Sequence, residues 1–193
     1  MTSFLEILER NNMAMRIISG KYRHRLLTYP TNNPNIRPTK DRIREAFFSS
    51  LGDISGLSFL DLYAGSGSMG IEAISRGAKE AYLVDNSPIA IKCIKENVKT
   101  LDIDNAHILF DSDFNALRYF KENNIKFDII YLDPPYEKGQ YEEVISYIYK
   151  EGLIKENGIL AFEVNRNIET NNVPSKKKKE YHYGEIFVTV LRF

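Results

Sequence analysis

From residue 57 onward the sequence alternates short apolar runs with longer amphipathic runs, and this pattern constrains the fold more than any other feature. The apolar runs predict strands at 57–63, 81–84, 106–110, 127–132 and 158–164. The amphipathic runs predict helices at 68–76, 88–100, 115–123 and 140–151. Alternating strands and helices are typical of an α/β fold whose parallel strands are joined by right-handed crossovers. We therefore expect a doubly wound, Rossmann-like sheet.

The C-terminal region departs from this alternation. Segments 181–183 and 186–193 predict a hairpin that turns at Gly184 and Glu185. Such a hairpin would place one antiparallel strand in an otherwise parallel sheet. The lysine run 176–179 that precedes it is expected to be a solvated loop.

The N-terminal region also departs from the alternation. Residues 16–20 and 22–27 predict a hairpin around Gly20 and Lys21, and the proline-rich stretch 29–38 predicts a loop. Residues 39–51 predict a helix that Thr39 can cap. We divide the chain into a leader or extension at 1–14, a basic hairpin and helix at 15–50, and a main domain at 51–193.

Composition narrows the classes of protein. The chain has 193 residues, of which 43% are hydrophobic, and no apolar stretch approaches the roughly 20 residues of a membrane helix. The first 15 residues include acidic side chains and lack the apolar core of a signal peptide. The single cysteine, Cys93, excludes an internal disulfide, lies in a predicted helix, and is expected to pack in the core. The three histidines are scattered, so we expect no metal site, and we expect a cytoplasmic monomer.

Charge is unevenly distributed along the chain. The whole sequence has a formal net charge of +0, but residues 15–50 contain eight basic and two acidic residues. A basic segment on an acidic body suits contact with nucleic-acid phosphates. A solvated charged surface is the alternative for this segment taken alone.

A glycine-containing loop follows the first predicted strand of the main domain. Gly65, Gly67 and Gly70 match the spacing G-x-G-x-x-G, which also occurs in proteins that bind nicotinamide dinucleotides. The loop could therefore bind either a nicotinamide dinucleotide or S-adenosylmethionine. Asp61 argues against the dinucleotide, because a carboxylate at the strand tip would repel its pyrophosphate. The same carboxylate would attract the ammonium group of S-adenosylmethionine, which has no phosphate, so we expect this cofactor.

Further side chains at the same edge are expected to complete the cofactor site. Asp85 ends the next strand, where a carboxylate can accept hydrogen bonds from ribose hydroxyls. Asp113 can accept from the adenine amino group, with Phe114 against the ring, and it could also be a helix N-cap. The predicted cofactor-binding residues are Asp61, Tyr63, Ala64, Gly65, Gly67, Asp85, Asn86, Asp113 and Phe114.

The fourth predicted strand runs directly into Asp133, Pro134, Pro135 and Tyr136. In open parallel sheets the carboxyl ends of the strands line the ligand crevice, so Asp133 should lie beside the cofactor loop. The prolines stiffen the turn and can aim the Pro134 carbonyl outward. The Asp133 carboxylate and this carbonyl then form two acceptors that match the two hydrogens of an exocyclic amino group. A rigid turn with a surface tyrosine is the alternative for these four residues alone.

Such an amine is a poor nucleophile because its lone pair is delocalised into the ring. Two acceptors can favour a pyramidal nitrogen aimed at a methyl donor, and Asp133 can take the released proton. Tyr136 offers a face on which the base can stack. The base has to be unpaired or flipped, as in RNA loops. The predicted catalytic residues are Asp133, Pro134 and Tyr136.

Four segments carry a family resemblance: RIISGKYR (16–23), RPTKDRIRE (37–45), DLYAGSGSMG (61–70) and DPPY (133–136). On these segments the chain resembles the bacterial 16S ribosomal RNA guanine-N2 methyltransferase D family (RsmD). The resemblance extends over nearly the whole chain from residue 15. The resemblance implies a class I S-adenosylmethionine methyltransferase with a seven-stranded sheet. It implies methylation of one guanine of 16S rRNA within the small ribosomal subunit or its assembly intermediate. Residues 1–14 have no recognised counterpart, and Asp85 stands where relatives often have glutamate.

The resemblance also implies a role for the basic N-terminal segment. Its side chains would contact phosphates while Tyr22 stacks on a base. An ion pair between Arg42 and Glu45 within the helix is the alternative for Arg42. The lysine run 176–179 could add to this surface. The predicted RNA-binding residues are Lys21, Tyr22, Arg23, Arg25, Arg37, Arg42 and Arg44.

Three other functions share some of these features. Amino methyltransferases for DNA adenine-N6 or protein glutamine-N5 use the same motif, although a DNA enzyme usually adds a recognition region. A non-catalytic ribosome assembly factor could keep the fold without the reaction. A nicotinamide oxidoreductase would leave Asp61 and the 133–136 segment unexplained.

Overall fold

The structure, a computed structural model, describes residues 15–29, 41–134, 141–166, 168–170 and 172–193. The strands are β1 (Met15–Arg16), β2 (Leu26–Leu27), β3 (Ser58–Asp61), β4 (Glu80–Asp85), β5 (Ala106–Phe110), β6 (Phe127–Leu132), β7 (Ile154–Val164), β8 (Lys177–Tyr183) and β9 (Ile186–Arg192). The helices are α1 (Asp41–Leu51), α2 (Ser68–Ser75), α3 (Pro88–Thr100), α4 (Asp113–Glu122) and α5 (Tyr141–Lys150).

Seven strands form one sheet in the order β5-β4-β3-β6-β7-β9-β8. The pairs from β5 across to β7 are parallel, and β9 is antiparallel to both of its neighbours. The predicted α/β fold with one antiparallel strand is confirmed. A separate antiparallel pair, β1 with β2, forms the predicted N-terminal hairpin. Among the described residues, no helix is long and apolar enough to cross a membrane.

Two predicted boundaries at the end of the chain were wrong. Strand β7 starts at Ile154 instead of residue 158, and its pairing with β6 shifts register between Phe127 and Ile129. The lysine run is not a loop, because Lys177–Lys179 pair with β9 as the first half of β8. These lysines are exposed on an edge strand, where charge discourages pairing with another chain.

The core has two layers, one on each face of the sheet. The hairpin, α1 and α2 pack on the first face, where Phe47 of α1 lies with its ring 5.0 Å from the ring of Tyr131. Helices α4 and α5 cover the second face through residues such as Phe120, Val144 and Ile148. Because side chains alternate along a strand, Asp61 and Tyr131, which pair in register, face the first layer together.

The hairpin is fixed to the C-terminal end of α2. Gly20 has a φ of +84°, and a Cβ atom there would lie 1.7 Å from the carbonyl oxygen of Ser75. The next two amides bond to the same residue: Lys21 donates to the Ser75 carbonyl at 2.7 Å, and Tyr22 donates to its hydroxyl at 3.0 Å. Glycine is therefore required at position 20 both for the turn and for the close approach.

A buried carboxylate, Glu72 of α2, holds the N-terminal segment on the sheet. It accepts hydrogen bonds from the amides of Ile18 and Ser19 at 2.8 and 3.0 Å. It also pairs with Arg76 at 2.7 Å and with Arg44 at 3.6 Å. A buried carboxylate is costly unless such donors compensate it, so Glu72 and its partners act as one unit.

Arg44 is a correction to the predicted RNA-binding set. Its side chain is 0% exposed, donates to the carbonyl of Arg16 at 2.6 Å, and pairs with Asp41 at 3.0 Å. Helical periodicity explains the difference, because Arg44 follows Ile43 and precedes Phe47 on the buried side of α1. Lys21, Arg23, Arg25 and Arg42 are exposed, and Arg37 lies outside the described residues.

Replacing Glu72 with glutamine is expected to destabilise the protein by about 3 kcal/mol, because the buried Arg44 would keep only the exposed Asp41 as an ionic partner and Arg76 would lose its pair. Thermal unfolding followed by circular dichroism measures the loss. Glu80→Gln is the matched control, since Glu80 forms exposed pairs with Lys79 and His107 and should cost less than about 1 kcal/mol. Equal losses in the two variants would contradict the anchoring role of Glu72.

Candidate active site

Asp61 is the last residue of β3. Of the acidic site residues predicted from the sequence, it is the least exposed to solvent. Its side chain is 2% exposed and accepts a hydrogen bond from the Gly70 amide at 3.2 Å. Burial, with a smaller contribution from Asp85, raises the pKa of Asp61 to about 7. A neighbouring cation would favour its ionised form and return the pKa toward the usual range.

The glycine loop forms a tight turn between β3 and α2. Gly65 and Gly67 have φ values of 55° and 80°, and the Gly67 amide donates to the Ala64 carbonyl at 2.6 Å. Gly70 serves packing, because a Cβ atom there would lie 2.1 Å from a methyl carbon of Leu83 on β4. The loop therefore brings backbone amides to the strand edge without interposed side chains.

Asp85 ties the end of β4 to this loop. Its carboxylate accepts from the amide of Gly65 and from the amide of Ser87, both at 2.8 Å. Ser87 in turn caps α3 by accepting from the Ala90 amide. The predicted residue Asn86 follows directly and is exposed at the same edge.

Tyr63 and Asp113 meet across the sheet edge. The Tyr63 hydroxyl donates to the Asp113 carboxylate at 2.9 Å, and burial together with this carboxylate raises the pKa of Tyr63. Asp113 is not the N-cap of α4, because Ser112 occupies that position and accepts from the Asn115 amide. Asp113 is the first residue of α4, and Phe114 beside it makes an edge contact with Tyr147 of α5.

Asp133 and Pro134 follow β6 directly, one strand away from Asp61. Asp133 is half-buried, and burial followed by the charges of Glu163 and Asp61 raises its pKa well above the ordinary range. The carbonyl oxygen of Pro134 lies 3.3 Å from the hydroxyl of Tyr141, in a buried contact. The Tyr141 hydroxyl has one hydrogen, which the shorter bond to the Glu163 carbonyl at 2.6 Å uses, so the Pro134 carbonyl keeps its acceptor capacity. Tyr136 lies outside the described residues.

Sequence analysis did not identify three buried side chains that support this edge. Glu163 of β7 is 4% exposed and accepts from the Tyr131 hydroxyl at 3.0 Å. Tyr141 donates from its hydroxyl to the Glu163 backbone carbonyl at 2.6 Å. Asn97 of α3 donates to the carbonyls of Thr28 and Ser66, which links the N-terminal segment to the glycine loop. Of these, only Glu163 had a signal in the sequence, as a carboxylate near the end of an apolar strand.

Cys93 packs in the core as predicted. It is 7% exposed, and its thiol donates to the Thr28 carbonyl at 3.1 Å. Burial raises the pKa of this thiol, which disfavours the nucleophilic thiolate form.

The structure thus brings most of the predicted residues to one edge of the sheet. Asp61, Asp85 and Asp113 end or follow β3, β4 and β5, and Asp133 follows β6. The acidic character of this edge, together with the raised pKa values of Asp61 and Asp133, suits a ligand with positive charges and no phosphate. The residues present therefore fit a cofactor that has an ammonium and a sulfonium group.

Comparisons with known proteins agree with this geometry. The family model described as Conserved hypothetical protein 95 matches residues 15–192. Ribosomal RNA small subunit methyltransferase D of Buchnera aphidicola (subsp. Acyrthosiphon pisum) is 37% identical over 155 residues, which are 80% of this chain and 80% of that protein.

Solved structures give the same result. A putative methyltransferase from Escherichia coli, yhhF, superposes with a TM-score of 0.79 at 28% identity, covering 93% of this chain and 97% of that chain. A Thermus thermophilus 16S rRNA N2 methyltransferase, in complex with AdoMet and guanosine, superposes with a TM-score of 0.68 at 18% identity, covering 93% of this chain and 49% of that chain; this likeness shows the fold. The chain therefore belongs to the Conserved hypothetical protein 95 family, the family of ribosomal RNA small subunit methyltransferase D, as its sequence predicted.

Proposed function

We propose that this chain transfers the methyl group of S-adenosylmethionine to the exocyclic N2 of one guanine in 16S rRNA of the small ribosomal subunit. The observation that supports the proposal is the position of Asp133 and Pro134 at the tip of β6, beside the carboxyl tip of β3 and the glycine loop. Family membership supports the RNA substrate, since relatives in this family are named as ribosomal RNA methyltransferases.

The cofactor would lie along the ends of β3, β4 and β5. When bound, S-adenosylmethionine supplies a methyl group that its sulfonium makes electrophilic. Asp61 would hold the ammonium, which favours the ionised form of this buried carboxyl. Asp85 would accept from the ribose hydroxyls beside Asn86, and the turn of Tyr63, Ala64, Gly65 and Gly67 would shape the floor of the site.

The adenine would lie near α4. Asp113 already accepts from Tyr63 through one oxygen, and an ionised carboxylate has room for a further donor such as the adenine amino group. Phe114 would lie against the adenine ring, and its own ring is held by Tyr147.

Asp133 and Pro134 would activate the guanine amine. The Asp133 carboxylate and the Pro134 carbonyl would each accept one hydrogen of the amino group, which aims the nitrogen lone pair toward the methyl group. Because the methyl group is already electrophilic, the main contribution of these residues is proximity and orientation. Tyr136 would stack on the base, which has to be unpaired or flipped to reach the strand edge.

The exposed basic residues of the N-terminal segment would position the RNA. Lys21, Arg23 and Arg25 lie on the hairpin, and Arg42 lies on α1, all on the first face of the sheet. Lys21 also lies over the half-buried ring of Tyr22 at 4.9 Å, so both are held on one surface. Phosphate contacts of this kind set the register of the substrate without reading its sequence. Arg37, which lies outside the described residues, is proposed to contact phosphate as well.

The direct test offers tritiated S-adenosylmethionine with unmodified small subunits, naked 16S rRNA, DNA or protein as acceptor, and digests the labelled RNA to nucleosides. We expect label in N2-methylguanosine from small subunits. Asp133→Ala should lower the rate at least about 100-fold, because the amine loses an acceptor, while calorimetry still detects cofactor binding.

Asp104→Ala is the matched control for this assay, since Asp104 is an exposed acid that precedes β5, at the amino end of the strand and away from the carboxyl strand tips. Label in N6-methyladenine or in protein would show that the substrate is an adenine or a protein and would contradict the proposed guanine substrate. Full activity in Asp133→Ala would remove the proposed mechanism.

Charge reversal at Arg42 tests the RNA surface. Arg42→Glu is expected to weaken binding of the RNA substrate and to lower the slope of log Kd against log salt by about one, because one phosphate contact is lost. Filter binding over a salt series measures both quantities. Arg118→Glu on α4, which covers the other face of the sheet, should leave RNA binding unchanged. Equal effects of the two changes would place the RNA surface elsewhere.

A further inference from the structure

Glu163 is a buried carboxyl beside Asp133 to which the proposed mechanism gives no task. Strands β6 and β7 are parallel, and their last registered pair is Leu132 with Phe162. Asp133 directly follows the end of β6, and Glu163 is the next residue of β7. Since side chains alternate, both face the same layer as Tyr131 and Asp61.

Glu163 is held from two directions. The Tyr131 hydroxyl donates to its Oε2 atom at 3.0 Å, and the Tyr131 ring is fixed by Phe47 at 5.0 Å. The backbone carbonyl of Glu163 accepts from the Tyr141 hydroxyl at 2.6 Å. A hydroxyl that donates to a carboxylate favours its ionised form. Of the two carboxyl groups, Asp133 and Glu163, it is therefore Glu163 whose negative charge is stabilised by the Tyr131 hydroxyl.

The groups that face Asp133 from the described elements are all acidic or hydroxyl groups. They are Asp61 of β3, Tyr131 of β6 and Glu163 of β7, with the Tyr141 hydroxyl of α5 next to Pro134. Asp85 of β4 lies beyond Asp61 and acts on it. Like charges on neighbouring strands disfavour the ionisation of one partner, and among the described residues the hydroxyl of Tyr131 donates to Glu163 and not to Asp133.

We propose that Glu163 is a positioning residue for methyl transfer: its side chain, held by Tyr131 beside Asp133, makes Asp133 the acceptor of the proton that the methylated amine releases. This inference rests on the proposed function. The new nitrogen–carbon bond forms as the carbon–sulfur bond breaks, and the nitrogen becomes positive. One N–H proton then passes to an Asp133 oxygen while the bonding electron pair stays on nitrogen. Asp133 releases this proton to water when the product leaves.

The dependence of kcat on pH separates this role from a purely structural one. At saturating cofactor and RNA, the rate falls at low pH as Asp133 becomes protonated. In Glu163→Gln the acid limb should move to lower pH, because the like charge is gone. At a pH on the acid limb of the wild type, the variant should keep an about tenfold larger fraction of its own plateau rate. Glu163→Asp retains the charge and should keep the limb near that of the wild type.

A titration without substrate makes the test independent of activity. Carbon-13 NMR of aspartate-labelled protein follows the carboxyl resonance that disappears in Asp133→Asn. Its midpoint should fall in Glu163→Gln. If Glu163→Gln does not fold, Tyr131→Phe serves in its place, since it removes the donor that favours an ionised Glu163. Tyr131→Phe should also lower the midpoint of the Asp133 titration, by less than is expected for Glu163→Gln.

An unchanged midpoint, or an acid limb that stays at the wild-type pH in a folded Glu163→Gln, would overturn this role and leave the proposed function standing. A wild-type protein that methylates no acceptor would overturn the proposed function and this role with it.

Discussion

Strands β3 to β7 run parallel and end at one edge of the sheet, and the proposed cofactor-binding and catalytic groups depend on that convergence. Right-handed crossovers place the helices on the two faces, so the edge itself stays open to a ligand. Asp85, Asp61, Asp133 and Glu163 then lie in that order at the carboxyl ends of four adjacent strands. No single element contains the site; the register of the sheet assembles it.

This assembly concentrates acidic groups in a partly buried place, which raises the pKa values of Asp61 and Asp133. The electrostatic cost falls when a ligand brings positive charge, so the cluster of acids that disfavours ionisation of each member favours a sulfonium cofactor with an ammonium group. Glu72 is also a buried carboxyl, but its negative charge does not depend on a ligand for compensation. Its carboxylate is compensated inside the protein by Arg44, Arg76 and two backbone amides, and it has a structural role.

The parallel order of the sheet and the positions of Asp61, Asp85 and Asp133 could be predicted because they depend on local signals: apolar runs, a glycine loop and two prolines. Arg44 was assigned to RNA because its charge is visible in the sequence, whereas its partner Glu72 lies 28 positions away in a helix with no such signal. The lysines of β8 were assigned to a loop because charge masked the pairing that β9 imposes. Glu163 contacts Tyr131 across 32 positions of sequence. Tyr141 contacts the Glu163 carbonyl across 22 positions, and Asn97 contacts Ser66 across 31. Only the tertiary structure brings these partners together.

The central claim is that this chain modifies one guanine of the small-subunit RNA through the edge formed by β3 and β6. The most direct measurement is mass spectrometry of nucleosides and RNase fragments of 16S rRNA from cells that lack the gene. We expect that one N2-methylguanosine disappears, returns with the wild-type gene, and stays absent with a gene that encodes Asp133→Ala. An unchanged set of N2-methylguanosines in the deletion strain would contradict it.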